Sequence, residues 1–475
     1  MTPPAGRLRV VVVHPYWDLW EHTAGPNFRS ERMALARQAA SLFNEQIDVL
    51  GVYDYASDAE AAALADNLRG TDVEALLVLQ TMATPPGYTL ALLDRLPGVP
   101  IVIWALHETG LVGSAVSHRE ITTQGATVGA PMVTNLLVRR GVGFEIVLGR
   151  IGDPIVRDRV ARSLRTAAVA GRIRRARLGR VGRPIEGYLH VDVDPDALRG
   201  AMGITVVDID PDAVVDAYRR VPEGAVAALA DEVRRDWLFE EDLSVGESLE
   251  RSLRAALAIE VVARAHRLDA GAFNCHVPQF RFGDEIGIAP CFGLGRLTSL
   301  GMPWTCTGDI VTAVAMLTVK YLGGAALYHE LETVDYATGE VVIANSGEHD
   351  LAWLAPGERP RLRRNGWFCG KDPRCGVCAV FEPEPGPATL VGFTPSPSAR
   401  GGFRYVAARG ELTSRRFPST GTVNAAFRFA SGPVEEAWTR WVMAGVNHHS
   451  AATLGDVAAE VAAVARHLGV EAVVI

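Results

Sequence analysis

This sequence of 475 residues predicts an α/β protein that ends in β-rich structure. Three observations carry the prediction. Solid β-branched runs alternate with helix-like stretches over residues 1–150, and a second alternating block follows them. From Pro383 to Ser398 the texture changes, with proline, glycine and serine punctuating short strands. Buried strands separated by helices build a parallel sheet covered on both faces.

In chain order, Arg9–His14, Glu74–Leu79 and Val99–Leu106 read as buried strands, with helices at Arg29–Phe43 and Ala59–Leu68 between them. Ligands of such sheets gather at the carboxyl ends of strands, which singles out Tyr16, Trp17, Thr81 and His107 against the plainer reading of loop residues. Asp153-Pro154 pairs a capping residue with proline at the first helical position, so a helix is expected from there to about Leu178. Its arginines 172, 174, 175 and 177 read as a solvated helix end, where cations suit the dipole, before they read as a phosphate patch. Arg180–Pro184 is expected as a linker. Gly203–Asp208 (strand), Pro211–Arg219 (helix) and Gly246–His266 (long helix) make up the second block. Strands follow at Ala388–Phe393 and Phe403–Ala408. A last helix, Asp456–Leu468, lines up Val457, Val461, Val464 and Leu468, and a strand Glu471–Ile475 ends the chain.

Composition narrows the function. A mass of 51.0 kDa corresponds to about three domains of ordinary size. With 48% hydrophobic and 21% charged residues, wholesale disorder is excluded. A net charge of −8 gives no electrostatic footprint for nucleic acid. No apolar run approaches the roughly 20 residues of a membrane span, and Met1–Arg9 lacks the pattern of a signal peptide. The expectation is a cytoplasmic protein whose six cysteines are thiols or metal ligands rather than disulfides.

Candidate chemistry is densest between Phe273 and His349. Asn274-Cys275-His276, Ala289-Pro290-Cys291 and Thr305-Cys306-Thr307-Gly308-Asp309 precede a helix with Ile310, Val314, Leu317 and Tyr321 on one face. His329, Glu330 and Glu332 lie on or near the next strand, Asn345-Ser346-Gly347-Glu348-His349-Asp350 follows another, and Asn447-His448-His449 comes far downstream. Carboxylates and imidazoles gathered from separate strand ends are what a hard or borderline divalent ion needs. Gly293-Leu294-Gly295 lacks the third glycine of a dinucleotide fingerprint and opens no helix after a strand.

The run CHVPQF…GIAPCFGLGRLTSLGMPWTCTGDIVTAVAMLTVKYLGG resembles the core of the L-arabinose/L-fucose isomerase family. HELETVDYATGEVVIANSGEHD, GPATLVGF and AGVNHHSAATLGD continue the resemblance in order, as do GATVGAPMVTNLLVRRGVGFEIVLGRIGD and RPIEGYLHVDVDPDALRGAMGITVVDID in the front half. The resemblance covers nearly the whole chain. It implies two α/β (Rossmann-like, parallel-sheet) domains, at residues 1–170 and 171–323, and a β-rich C-terminal domain at 324–475. It also implies a homo-oligomer, trimeric or hexameric, that interconverts aldoses and ketoses through an enediol on a bound Mn²⁺. A divalent ion stabilises developing enediolate charge, and a carboxylate moves the proton.

Carried over residue by residue, the resemblance makes Glu330 and His449 metal ligands, with His448 as the alternative to His449. Thr307 and Asn345 stand where an acidic ligand and a histidine are implied. Glu330, Asp309 and Glu348 are the catalytic candidates, and Thr307, Asn345 and His349 the substrate-binding ones. Loss of a ligand carboxylate weakens hard-cation binding, for which Asp309, His349 or Glu332 could compensate. Glu332 would share a strand face with Glu330.

Cys369, Cys375 and Cys378 depart from the family's pattern. They read as a zinc or iron–sulfur site, a redox pair or three unrelated thiols. Cys275, Cys291 and Cys306 read as small buried hydrophobes.

Three functions follow. The first is a sugar isomerase acting on a polyhydroxylated carbonyl substrate. The second is a diverged biosynthetic enzyme on the same scaffold, and the third a non-catalytic sugar-binding relative. None involves nucleic acid or a membrane.

Overall fold

The computed structural model describes residues 7–43, 47–109, 113–239, 243, 246–345, 347–365, 376–417 and 422–475. The chain forms two compact units, one of Pro4–Arg174 with Ala463–Gly469, the other of Arg175–Ala462 with Val470–Ile475.

In the first unit, strands β1 (Leu8–Pro15), β2 (Ile47–Tyr55), β3 (Ala75–Gln80), β4 (Ile101–His107) and β5 (Phe144–Arg150) form a parallel sheet in the order β2-β1-β3-β4-β5. The apolar run in β1 explains its central place. Val10 and Val12 enter the core on one face of the sheet, with Leu77 and Trp104, while Val11 and Val13 enter the other, with Leu76 and Ile103. A strand buried on both faces needs no polar alternation. The helices Phe28–Ser41, Asp58–Leu68, Pro86–Leu93, Ala126–Arg139 and Pro154–Arg174 lie between or after the strands. At the carboxyl ends, Tyr16 and Thr81 are fully buried, and Thr81 Oγ1 lies 2.9 Å from His14 Nε2.

The second unit opens where a helix and then a linker are expected. The helix stops at Arg174, and Arg177–Val181 is strand β6. It is flanked on both sides in the parallel sheet β10-β9-β6-β7, with β7 at Thr205–Ile209, β9 at Ala270–Phe273 and β10 at Trp304–Thr305. Arg180 hides the strand from a hydropathy reading. It is 1% exposed, and its guanidinium lies 2.7 Å from Asp208 and 2.5 Å from Asp192.

The rest of this unit is largely antiparallel. β11 (Leu327–Asp335), β12 (Glu340–Ala344), β15 (Gly386–Pro395), β16 (Phe403–Leu412), β17 (Asn424–Phe429) and β18 (His449–Leu454) pair in the order β15-β18-β11-β12-β17-β16. Because β15 also pairs with β16, the six strands close into a barrel, which leaves no open edge among them. β19 (Glu471–Val474) adds in parallel to β16, and β8 (Leu238–Phe239), β13 (Arg361–Arg364) and β14 (Val377–Val380) form a small separate sheet. No helix among the described residues is long and apolar enough to cross a membrane.

The helix Ile310–Tyr321 is buried along its whole length from Ile310 to Lys320, as an all-round apolar helix must be. Gly323, at φ 88°, turns the chain from it towards β11. Lys320 is the cation on this helix, and its Nζ lies 2.6 Å from Asp350 Oδ2. The same oxygen accepts the Ala326 N–H at 2.9 Å, so one buried carboxylate ties the helix end, the start of β11 and the loop after β12. Replacing Lys320 by Met strands that carboxylate, and a loss of about 3–5 kcal/mol is expected. Urea unfolding checks it: Lys320→Met with Asp350→Leu should recover most of the loss, and an unchanged midpoint in Lys320→Met would refute the role.

Candidate active site

β11 and β18 are neighbours, and their antiparallel register sets Glu330 opposite His449. Side chains alternate along a strand, so Tyr328 and Glu330 share a face of β11. His329 lies on the other, 3.1 Å from Ser450 Oγ. The loop after β10 supplies the third component. Asp309 is fully buried at the start of the helix, where its Oδ1 caps the Thr312 N–H at 2.8 Å.

These groups meet at the His449 ring. His449 Nδ1 lies 2.9 Å from Asp309 Oδ2 and 2.6 Å from the Tyr328 hydroxyl, while Nε2 lies 3.0 Å from Glu330 Oε1. Burial opposes charge on His449, but the hydrogen bonds to Asp309 and Glu330 outweigh it and hold its pKa up at about 9. Glu330 is held below the usual carboxylate range because its bond to His449 overcomes the cost of burial. Burial, with Asp309 adding to it, raises Tyr328 well above the ordinary phenol, and its interaction with the Thr307 hydroxyl works the other way.

Among the described residues, Glu330, His448 and His449 form the group able to hold a metal ion, with ligand atoms within 4.8 Å of one another. A carboxylate and two imidazoles suit a borderline divalent ion. His449 keeps Nδ1 against Asp309 and aims Nε2 at Glu330, the carboxylate–histidine arrangement that orients metal-binding imidazoles.

Thr307 sits at φ 53°, a region that costs a β-branched residue about 1–2 kcal/mol, and its hydroxyl donates to the Cys306 carbonyl at 2.8 Å. Asn345 is buried just beyond β12, and its carbonyl accepts the Thr422 hydroxyl. Glu348 is fully buried and acts electrostatically on Tyr328, Cys291 and Cys306. His349 is buried too, 2.9 Å from Thr422 Oγ1, and burial pushes its pKa down to about 3. Asp309, Glu348 and His349 are not in the three-residue metal group.

Glu332 still lies within electrostatic reach of Glu330 and His449: burial, with Glu330 adding to it, raises its pKa and His449 lowers it, although the ladder beside it is irregular. Partners along β12 jump from Ile343 opposite Leu331 to Val342 opposite Thr333, leaving Glu332 in a bulge. The Gly293-Leu294-Gly295 step lies inside the helix Cys291–Ser299 and serves packing: a Cβ at Gly295 would come 2.7 Å from the His349 carbonyl oxygen. Cys275, Cys291, Cys306 and Cys378 are buried free thiols, whereas Cys369 and Cys375 lie outside the described residues. Sequence reasoning missed Tyr328, although its place two residues before Glu330 puts it on the same strand face. It also missed His190, which no local signal marks.

No family model matches the chain. It is 22% identical over 425 residues to sulfoquinovose isomerase of Priestia aryabhattai, covering 87% of this chain and 88% of that one. It is 27% identical over 348 residues to L-arabinose isomerase of Acidothermus cellulolyticus (71% and 67% covered) and 23% identical over 408 residues to sulfoquinovose isomerase of Alkalicoccus urumqiensis (82% and 84%). Among solved structures, a glucose-galactose binding protein from Geobacillus stearothermophilus matches at a TM-score of 0.16 and 11% identity over 67% of this chain and 92% of that one, which carries no argument. Likeness that runs through both units places the chain among isomerase-like α/β proteins. These relatives, at 22–27% identity over most of the chain, support an arabinose/fucose isomerase-like family.

Asp309 gives the site its first test. Asp309→Ala removes a helix cap, worth about 0.5–2 kcal/mol, and takes one of two anionic partners from the buried His449. Asp309→Asn can still cap and should lose less. Urea unfolding of both variants decides; equal losses would mean that capping plays no part.

Proposed function

We propose that this chain is a sugar isomerase-like enzyme that interconverts an aldose and a ketose, with Glu330, His448 and His449 holding a divalent ion. The observation that carries the reading is the meeting of Glu330 and His449 across β11 and β18, with His448 completing one donor set. The named activities of the sulfoquinovose and L-arabinose isomerases support a polyhydroxylated carbonyl substrate.

The reaction moves one proton between adjacent carbons and one between their oxygens, with no external oxidant or reductant. A divalent ion such as Mn²⁺, when bound, supplies Lewis-acid stabilisation of the negative charge that develops on the sugar oxygens. The chain's own groups do the remainder. Glu330 stays ionised beside His449 and, with 23% of its side chain exposed, is placed to take and return the carbon-bound proton. Asp309 and Tyr328 position the His449 ring from behind. Asp309 is engaged with the helix cap and with His449, so its part is positioning rather than proton transfer. Thr307 and Asn345 are neutral groups and are proposed to contact substrate hydroxyls.

A second reading, a relative on the same scaffold with changed chemistry, is favoured by Thr307 and Asn345 standing where the family resemblance implies an anion and an imidazole. Manganese titration followed by assays on pentoses, 6-deoxyhexoses and sulfonated hexoses separates the two. The first reading expects Mn²⁺ binding and turnover by the wild type, both lost in Glu330→Ala, because an anion is the main source of affinity for a hard cation. Thr307→Glu with Asn345→His should tighten Mn²⁺ further. A wild type that binds no divalent ion while the double variant does would move the second reading ahead. Tight binding untouched by Glu330→Ala would show the site to be misplaced.

A further inference from the structure

We infer that His190 is a positioning residue that fixes the ring of His448 for its part in the donor set. The inference rests on the reading that Glu330, His448 and His449 hold a divalent ion. His448 occupies an exposed turn before β18, where an imidazole has rotamer freedom to lose on binding an ion. Glu330 and His449 need no such help, being held by strand register and by Asp309. A separate segment of the chain supplies it for His448.

Two contacts join that segment to the turn. His190 Nε2 lies 3.1 Å from His448 Nδ1, with the ring centroids 4.8 Å apart and the ring planes at 61°. The Asn447 side chain bridges the backbones, its Nδ2 donating to the His190 carbonyl at 3.4 Å and its Oδ1 accepting the His449 N–H. Tyr188 closes the outer side, its ring 5.2 Å from that of His190 and edge-on to His448 at 6.2 Å.

The hydrogen-bond chemistry gives the contact a direction. A neutral imidazole carries one N–H and one lone pair, and the partner of one nitrogen decides which nitrogen has the proton. For His448 to offer the Nε2 lone pair to an ion, its proton sits on Nδ1 and is donated to His190 Nε2. His190 then carries its own proton on Nδ1. The pair selects the tautomer of His448 and its ring angle together, which is the task of groups behind metal-binding histidines.

The test is Mn²⁺ titration of the metal-free full-length protein, with free Mn²⁺ followed by electron paramagnetic resonance, in wild type, His190→Ala, His190→Gln and Glu330→Ala. His190→Ala should weaken binding about 10–100-fold, the range for loss of such a partner. His190→Gln, whose amide oxygen can accept the Nδ1 proton, should recover most of it. The thermal midpoint of the metal-free protein should be unchanged in both, since His190 is exposed. Wild-type affinity in His190→Ala, or equal loss in His190→Gln, overturns the inference even when Glu330→Ala behaves as the functional reading expects. If Glu330→Ala binds like wild type, or wild type binds no Mn²⁺, the functional reading fails and this inference fails with it.

Discussion

A fully buried carboxylate, Asp309, is the constraint on which the architecture of the site depends. An ion of that kind survives in a low-dielectric interior only when its lone pairs are met. One oxygen caps the helix Ile310–Tyr321, and the other meets His449 Nδ1. The first contact fixes a buried helix, and the second fixes an imidazole on a barrel strand. Asp309 thus ties the buried helix to strand β18, and the Thr318 and Tyr405 hydroxyls, 2.8 Å apart, tie it to β16. Around it the polar groups are sorted by need: Tyr328 fills the space against the ring, and Glu330 takes the outward nitrogen.

The same sorting explains what can change at this site and what cannot. His449 satisfies Asp309 whether or not an ion is bound, because its inward nitrogen is committed to the carboxylate. The outward nitrogen faces Glu330, and on the proposed reading a proton and a metal ion would compete there for the same pair of atoms. Substitution at the inner carboxylate disturbs folding and function together, whereas substitution at Glu330, which is partly exposed, acts on function with less cost to the fold. Lys320 and Asp350 repeat the inner arrangement at the other end of the same helix. Both ends of the most buried helix are therefore held by ionic contacts rather than by apolar packing alone.

Much of this was legible in the sequence. The first sheet announces itself through β1 and β3, whose runs of β-branched and leucine residues leave no polar face to mistake. Strand β6 was not legible: Arg180 reads as surface, and its partners Asp192 and Asp208 lie too far along the chain to be paired with it by inspection. That Glu330 and His449 come together was legible because family resemblance supplies long-range register that periodicity cannot. The irregular register beside Glu332 was not legible, because a bulge leaves no mark in composition. His190 stayed hidden for the same reason as Asp192, since its partner is brought to it only by the fold.

The neutral residues at 307 and 345 acquire a physical meaning once the charges are counted. Before any ion binds, Asp309, Glu330 and a protonated His449 leave the cluster with a single net negative charge. A carboxylate at position 307 would add a second, close to the Tyr328 hydroxyl that Thr307 now approaches. Fewer anions around a divalent ion lower its affinity, and they also leave more of its charge to act on a bound oxygen. Thr307 holds its place at φ 53° in spite of the strain, and Gly308 continues the left-handed turn at φ 77°. The loop therefore keeps the backbone course that carries Asp309 into the core, although the residue at 307 offers only a hydroxyl. If Glu330, His448 and His449 hold a divalent ion, as proposed, such a site exchanges grip on the ion for electrophilic strength and relies on imidazoles rather than on a fence of carboxylates.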